Sequence, residues 1–432
     1  MISSALALAL AVASSGSAVA GDSWITIDRD ELIAFETGAD PSAAGALGAL
    51  EDPLEFRPDV IAVPMSEERI VELTEFIHKQ HRRCGGFMWH ASREEAYAVA
   101  ARAAAAAEME IAAPAAPYTI DNTQVANAMA NAVQEATMRT TITQLAGFFT
   151  RYHNCPSGNQ SALFIRDKWQ KLATAAGRTD VTVRLFNHSG YPTQQPSVIL
   201  TIPGSAPPPV GQEFVVLGGH QDSIAGSNCS TSRSPGADDD ASGIAVLTEI
   251  IRVALQLGFR PDRTVEFMAY AAEEVGLRGS AQIAQQYGTV PVNVIGVLQF
   301  DMTNYSDTPK DDIVVYTDFT TAAQNAFVQQ LAAVYVPRTG PFAPRPTSTC
   351  GYGCSDHASW FTRGYAASFP FEARFGDHSP FIHTSGDTLA ASGGHAKRSV
   401  PFAKLGAAYI AELAKGPLTP LQAAPSRLLG PR

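Results

Sequence analysis

The sequence predicts an α/β protein built on a mostly parallel, twisted sheet with helices on both faces, preceded by a small N-terminal unit. Three observations carry that expectation. From about Tyr118 onward, strand-like and helix-like segments alternate, the order that joins parallel strands through crossover helices. Stretches such as TVEFMAY are apolar throughout, as strands buried on both faces are. The polar clusters follow directly on these runs, at the carboxyl ends where such sheets keep their functional residues.

Taken in order, the first twenty residues, MISSALALALAVASSGSAVA, are a short apolar stretch ending in small residues, the pattern of a secretory signal cleaved after Ala20. Residues 21–115 contain WITIDRDELIAF, an acidic helix-like SEERIVELTEFIHKQHRR, and the alanine-rich AYAVAARAAAAAEMEIAAPAAP, which reads as a helix running into a linker at Pro114 and Pro117. In an exported protein such a unit is a candidate propeptide, and the chain that still carries it would be a zymogen. Within 116–415 the reading is a helix at 161–175, strands SVILTI and EFVVLGGH, a helix at 241–257, strand TVEFMAY and a helix at 280–287. Strands VIGVLQFDM and DIVVYTD, a helix at 321–334, strand AASFPF and a last helix to Ala414 complete it. Residues 416–432 are proline-rich and read as a disordered tail.

The chain has 432 residues and a formal net charge of -11, from 31 basic and 42 acidic side chains. That balance opposes nucleic acid and anionic membrane surfaces as partners. No segment is long and apolar enough to span a bilayer. A secreted, soluble monomer is expected.

The chemistry gathers at strand ends. EFVVLGGH ends in His220, with Asp222 two residues on; TVEFMAY runs into Glu273 and Glu274; VIGVLQFDM carries Asp301 one residue from its end. PGADDDASG places Asp238, Asp239 and Asp240 before a helix, and FIHTSGD supplies His383. Each has an ordinary reading alone, the aspartates as helix caps and the glutamates as solvated surface. Together, imidazoles and carboxylates without thiolates suit zinc first and cobalt or manganese second. They are too many for one tetrahedral ion with an open site, but enough for two ions about 3.5 to 4 Å apart sharing a bridging carboxylate.

The segments GGHQDS, PGADDDASGIAVLTE, EFMAYAAEEVGLRGS, LQFDMTNY, CGYGCSDHASW and FIHTSGDTL resemble those of the secreted bacterial leucyl aminopeptidases, di-zinc enzymes of one α/β domain. The likeness spans about 142–413 in the same order. It implies that Asp239 bridges two Zn²⁺, with His220 and Asp301 on one and Glu274 and His383 on the other. Asp222 would hold the His220 ring from behind, and Glu273 would be the general base. A pocket for the side chain of the residue removed would be lined by Met302, Cys350, Tyr352, Cys354, Phe369, Phe371, Phe375 and Ile382, with Tyr352 able to donate to the developing oxyanion. The substrate would be peptide N-termini carrying leucine or another large hydrophobic residue. His378 and Phe369 depart from the tyrosine and methionine expected there, and core packing is an equal reading for Phe369 and Phe371. The resemblance also implies a cis peptide between Asp239 and Asp240.

Two other readings share the fold or the site. A single-zinc glutaminyl cyclase would act on N-terminal glutamine, and a catalytically inactive domain would bind zinc without turnover. Glu273 present beside all five implied ligands favours the peptidase. Ser355-Asp356-His357 is not a serine-hydrolase triad, because three consecutive residues cannot converge as a triad does. Of five cysteines, Cys84 falls in the N-terminal unit. The resemblance pairs Cys350 with Cys354 around Tyr352, leaving Cys155 and Cys229 either as a second bridge or as two free thiols.

Overall fold

The computed structural model describes residues 23–38, 60–81, 83, 85–105, 118–289, 292–305, 312–336 and 344–419. The expected signal at 1–20 and the junction at 106–117 lie outside the described residues, as does the tail beyond 419.

The N-terminal unit is β1 (Ser23–Asp28), α1 (Arg29–Thr37), β2 (Val60–Met65), α2 (Glu67–His81), β3 (Phe87–His90) and α3 (Arg93–Ala105). Its strands form an antiparallel sheet in the order β2-β1-β3. In α2, Glu67 and Glu68 occupy the first turn and His78, Lys79 and His81 the last, matching the helix dipole at both ends. Ile70, Leu73 and Ile77 recur at helical spacing and are fully buried. They share one core with Ile25, Phe87 and Trp89 of this unit and with Tyr152, Ile224 and Val275 of the larger one.

The larger unit begins with helices α4 (Thr123–Asn131), α5 (Glu135–Leu145) and α6 (Pro156–Ala175), of which α4 and α5 were not read from the sequence. Strands β4 (Thr182–Phe186), β5 (Ser197–Ile202) and β6 (Glu213–His220) follow, then α7 (Ala241–Gln256), β7 (Thr264–Tyr270), α8 (Arg278–Thr289) and β8 (Asn293–Gln299). The chain closes with β9 (Val314–Tyr316), α9 (Ala322–Tyr335), β10 (Thr347–Ser348), α10 (His357–Phe361), β11 (Ala367–Phe371) and α11 (Ser399–Ala414). The eight-stranded sheet has the order β10-β9-β11-β8-β6-β7-β5-β4. It is the expected α/β layer structure, parallel at its centre, where β6 pairs with β7 and β8 and β8 with β11. Antiparallel pairing at β4–β5, β5–β7 and β9–β11 makes the sheet mixed.

One face carries α7 and α11, which bury Ile244, Leu247, Ile250, Phe402, Leu405 and Tyr409 against Val215, Leu217 and Phe267. The other packs Trp360, Ile283 and Tyr287 on Met268 and Tyr270, with Trp360 Nε1 donating to the Tyr270 hydroxyl at 2.9 Å.

Boundaries move for local reasons. The helix expected from Ser161 starts at Pro156, because proline suits the first helical position. The expected strand VIGVLQFDM ends at Gln299, and Met302 turns left-handed at φ 53°. DIVVYTD shortens to Val314–Tyr316, and the helix at 280–287 extends to 278–289. Residues 416–419, expected in the disordered tail, instead pack back: Thr419 N donates to Gly258 O at 2.8 Å and Leu418 bridges Phe259. Among the described residues no helix is long and apolar enough to cross a membrane.

Candidate metal centre

Three strand ends and two loops converge at the carboxyl edge of the sheet. His220 closes β6, Glu273 and Glu274 follow β7, and Asp301 follows β8. Between β6 and α7, Asp240 ties these ends together. Its carboxylate caps α7 by accepting from Gly243 N at 2.7 Å, and also accepts from His220 N at 3.0 Å and Met302 N at 3.2 Å. Gly243 permits the close approach, since a Cβ there would stand 2.4 Å from Phe300 O. The peptide between Asp239 and Asp240 is cis, as expected.

The five side chains that the resemblance implies as ligands lie together. His220 Nε2 lies 3.0 Å from Asp239 Oδ1 and 3.4 Å from Asp301 Oδ1. His383 Nε2 lies 3.1 Å from Asp239 Oδ2 and 3.0 Å from Glu274 Oε2. The two oxygens of Asp239 thus face two different imidazoles, the geometry of a carboxylate placed between two cation positions. Atoms each about 2.0 to 2.2 Å from one zinc are at most about 4.4 Å apart, and every one of these separations meets that limit.

Behind the ligands stand residues that aim them. Asp222 lies 3.4 Å from His220 Nδ1 and accepts from Glu273 N at 3.1 Å and Glu274 N at 3.2 Å, so one carboxylate orients the ring and both glutamates. Two orienting residues were not assigned from sequence. Ser355 Oγ donates to Asp301 Oδ2 at 2.7 Å, and Asp387 accepts from Asp238 N at 3.0 Å and Asp239 N at 3.1 Å. Ala272, Met302 and His383 all hold positive φ values near 55° without being glycine. Such backbone persists only where its surroundings enforce it, and here Ala272 precedes Glu273, Met302 follows Asp301 and His383 is itself in the cluster.

The electrostatics call for cations. Both oxygens of Glu273 and Asp301 Oδ1 are buried without a hydrogen-bond partner among the described residues. Burial first, then the Asp301, Asp356 and Glu274 carboxylates, push Glu273 well above the usual carboxylate range. Burial and Asp239 likewise raise Glu274 to about 7. Burial works against charge on His383, yet Glu274 and Asp239 raise it to about 10. In the absence of metal, protons must take the place of counter-ions, since isolated buried carboxylates are costly. The donor set of imidazole and carboxylate fits zinc.

A third imidazole enters from the N-terminal unit. His78 Nε2 lies 3.9 Å from Glu274 Oε2, and its ring stacks on His383 at 3.8 Å between centroids. The sequence placed this residue on a helix without giving it a role.

Beside the ligands, Met302, Tyr352, Phe369, Phe371, Phe375, Ile382, Cys350 and Cys354 line one pocket with Asp301, Tyr316, His378 and Arg83. The expected wall residues are therefore together, and Phe369 and Phe371 serve as core and wall at once. Bridges join Cys350 to Cys354 and Cys155 to Cys229. A wider hollow of about 560 Å³, between β3 and α8, contains no carboxylate and does not compete as a metal site.

Residues 197–400 match the model of peptidase family M28. A probable aminopeptidase of Saccharomyces cerevisiae is 33% identical over 278 residues, covering 63% of this chain and 72% of that protein. Leucine aminopeptidase 1 of Ajellomyces capsulatus is 34% identical over 284 residues, covering 63% and 70%. The crystal structure of the LapA aminopeptidase of Legionella pneumophila superposes with a TM-score of 0.70 at 26% identity, over 92% of this chain and 99% of that one. That coverage reaches beyond 116–415 and takes in part of the N-terminal unit. With a relative of this identity covered over more than two thirds of its length, the chain belongs to peptidase family M28 and is a peptide hydrolase.

Proposed function

We propose that the chain is a zinc-dependent aminopeptidase that removes leucine or another large hydrophobic residue from peptide N-termini. The observation that carries the reading is Asp239, whose two oxygens address His220 and His383 separately at 3.0 and 3.1 Å. His220 and Asp301 would hold one zinc, Glu274 and His383 the other, and Asp239 both. When bound, the zincs supply Lewis acidity that polarises a peptide carbonyl and acidifies water. Glu273, buried and with neither oxygen hydrogen-bonded among the described residues, takes a proton from the attacking water and returns it to the departing amine. Tyr352, clamped in the Cys350–Cys354 loop, donates to the oxyanion. The apolar pocket beside Asp301 selects the side chain, and the metal position of Glu274 and His383 favours a free α-amine, whose nitrogen lone pair is available, over an acylated one. The fungal relatives' names support leucine as the preferred residue.

On the same reading, residues 1–20 are a secretion signal, 21–115 a propeptide, 116–415 the peptidase and 416–432 a tail, and the mature protein is a secreted monomer. The test is hydrolysis of a panel of N-terminal residues with N-acetylated controls, alongside metal analysis. Cleavage of blocked substrates, cyclisation of N-terminal glutamine in place of hydrolysis, or full activity without metal would overturn it.

A further inference from the structure

The N-terminal unit sends two side chains into the site, and neither behaves as filler. His78 shares the inner face of α2 with Ile70, Leu73 and Ile77, where an aliphatic residue would satisfy the packing. It is only 8% exposed, and its Nε2 has no hydrogen-bond partner among the described residues. A buried polar atom left unpaired costs about 1 to 3 kcal/mol, which packing alone does not explain. The same Nε2 is 3.9 Å from Glu274 Oε2, and the His78, Glu274 and His383 ligand atoms lie within 4.8 Å of one another. Five residues on, the Arg83 guanidinium stacks 4.6 Å over the Tyr352 ring and forms part of the wall of the apolar pocket.

The placement is anchored. Arg278 Nη1 donates to Glu67 at 2.7 Å at the start of α2, Trp89 N donates to Gly276 O at 2.9 Å, and the unit shares its core with the larger one. Arg83 is itself held by Glu31.

We infer that the N-terminal unit closes the enzyme by supplying His78 as a third imidazole to the metal position of Glu274 and His383, with Arg83 shutting the side-chain pocket. The inference rests on the zinc reading above. A ligand at that position takes the place a peptide's α-amine needs, so the uncleaved chain is latent, and loss of the unit removes ligand and cover together. An imidazole also suits reversible closure: it ligates through a neutral nitrogen and adds no charge to the cluster.

The test uses the full, uncleaved chain. X-ray absorption of the zinc-loaded wild type should count three imidazoles over two ions, where His220 and His383 alone would give two. In the cobalt-substituted protein, His78→Ala should change the visible absorption spectrum at unchanged metal content and raise hydrolysis of a leucine anilide about tenfold or more. His78→Leu, which suits the apolar face of α2, should do the same and guards against misfolding of the alanine variant. Two imidazoles in the wild type, or superimposable cobalt spectra and equal activity for wild type and His78→Leu, overturn the inference alone. Failure of every form to bind metal overturns the zinc reading and this inference with it.

Discussion

Replacing Glu273 by glutamine separates proton transfer from metal binding. The side chain keeps its volume, and no side-chain hydrogen bond among the described residues is lost, because both carboxylate oxygens lack a partner there and only the backbone is used, its N–H by Asp222 and its carbonyl by Gly276 N and Leu277 N. The structural penalty is a buried amide without partners, about 1 to 3 kcal/mol of stability. The catalytic penalty should be that of a missing general base, about 10² to 10⁴ in kcat, or about 3 to 5 kcal/mol of barrier at 1.36 kcal/mol per decade. The assay is hydrolysis of a leucine anilide with both proteins in the same processing state, alongside metal content per chain. Glu274→Gln is the contrasting variant. It alters the oxygen 3.0 Å from His383 Nε2 and should lose metal as well as activity. Activity of Glu273→Gln within about tenfold of wild type, or loss of metal on that substitution, would refute the assignment of Glu273 as base.

Chelation should destabilise the protein increasingly as pH rises. Glu274 raised to about 7 and His383 raised to about 10 both favour the protonated metal-free fold at low pH, and that contribution is lost as pH rises through those values. The gap in Tm between zinc-loaded and chelated protein should therefore widen from pH 5.5 to 8, and a gap that narrows contradicts the cluster's role. Replacing Cys155 and Cys229 together by serine should lower the urea-derived stability by up to about 4 kcal/mol for a loop closed across 74 residues. Replacing Cys350 and Cys354, 4 apart, should cost about half as much stability but reduce kcat by releasing Tyr352; equal stability losses would count against the loop argument. Ile382→Phe should fill the pocket and shift the ratio of kcat/KM for leucine over alanine substrates downward by about tenfold or more, consistent with about 1 to 3 kcal/mol per methylene displaced. An unchanged ratio would move the selecting pocket elsewhere.

The parts of the fold that were legible are those where burial is complete. EFVVLGGH and TVEFMAY match β6 and β7 residue for residue, since central parallel strands read as unbroken apolar runs. TVRLF, which forms β4 at the sheet's edge, was not read as a strand; none of its residues is fully buried, so the burial signal is weak. The helices TQVANAMAN and EATMRTTITQL carry their apolar stripe on Ala126, Met129, Met138 and Ile142 amid polar and β-branched residues, too faint a pattern to stand out. Phe300 and Asp301 were read into the preceding strand because apolar character continues past Gln299, while the backbone turns away toward the site.

Of the proposed ligands, His220, Glu274 and Asp301 stand out in the sequence because each closes or follows a strand, while Asp239 and His383 lie in loops and are picked out by the resemblance. Ser355 and Asp387 were not, since a serine or aspartate whose side chain hydrogen-bonds a distant segment looks like any loop residue until its partner is known. Ser355 is the clear case: its neighbours Asp356 and His357 suggested a triad, whereas its hydroxyl serves Asp301. His78 is different in kind. Its partners Glu274 and His383 lie far along the chain, and no local spacing announces the contact. Yet the helix itself carried a signal, a histidine following Ile77 on the face that Ile70 and Leu73 define as core. A polar residue at a core position is a conflict between local pattern and global burial, and such conflicts persist where function requires them. In this protein the conflict resolves only when the N-terminal unit is docked on the ligand cluster, which makes that unit part of the site's chemistry as well as of its fold.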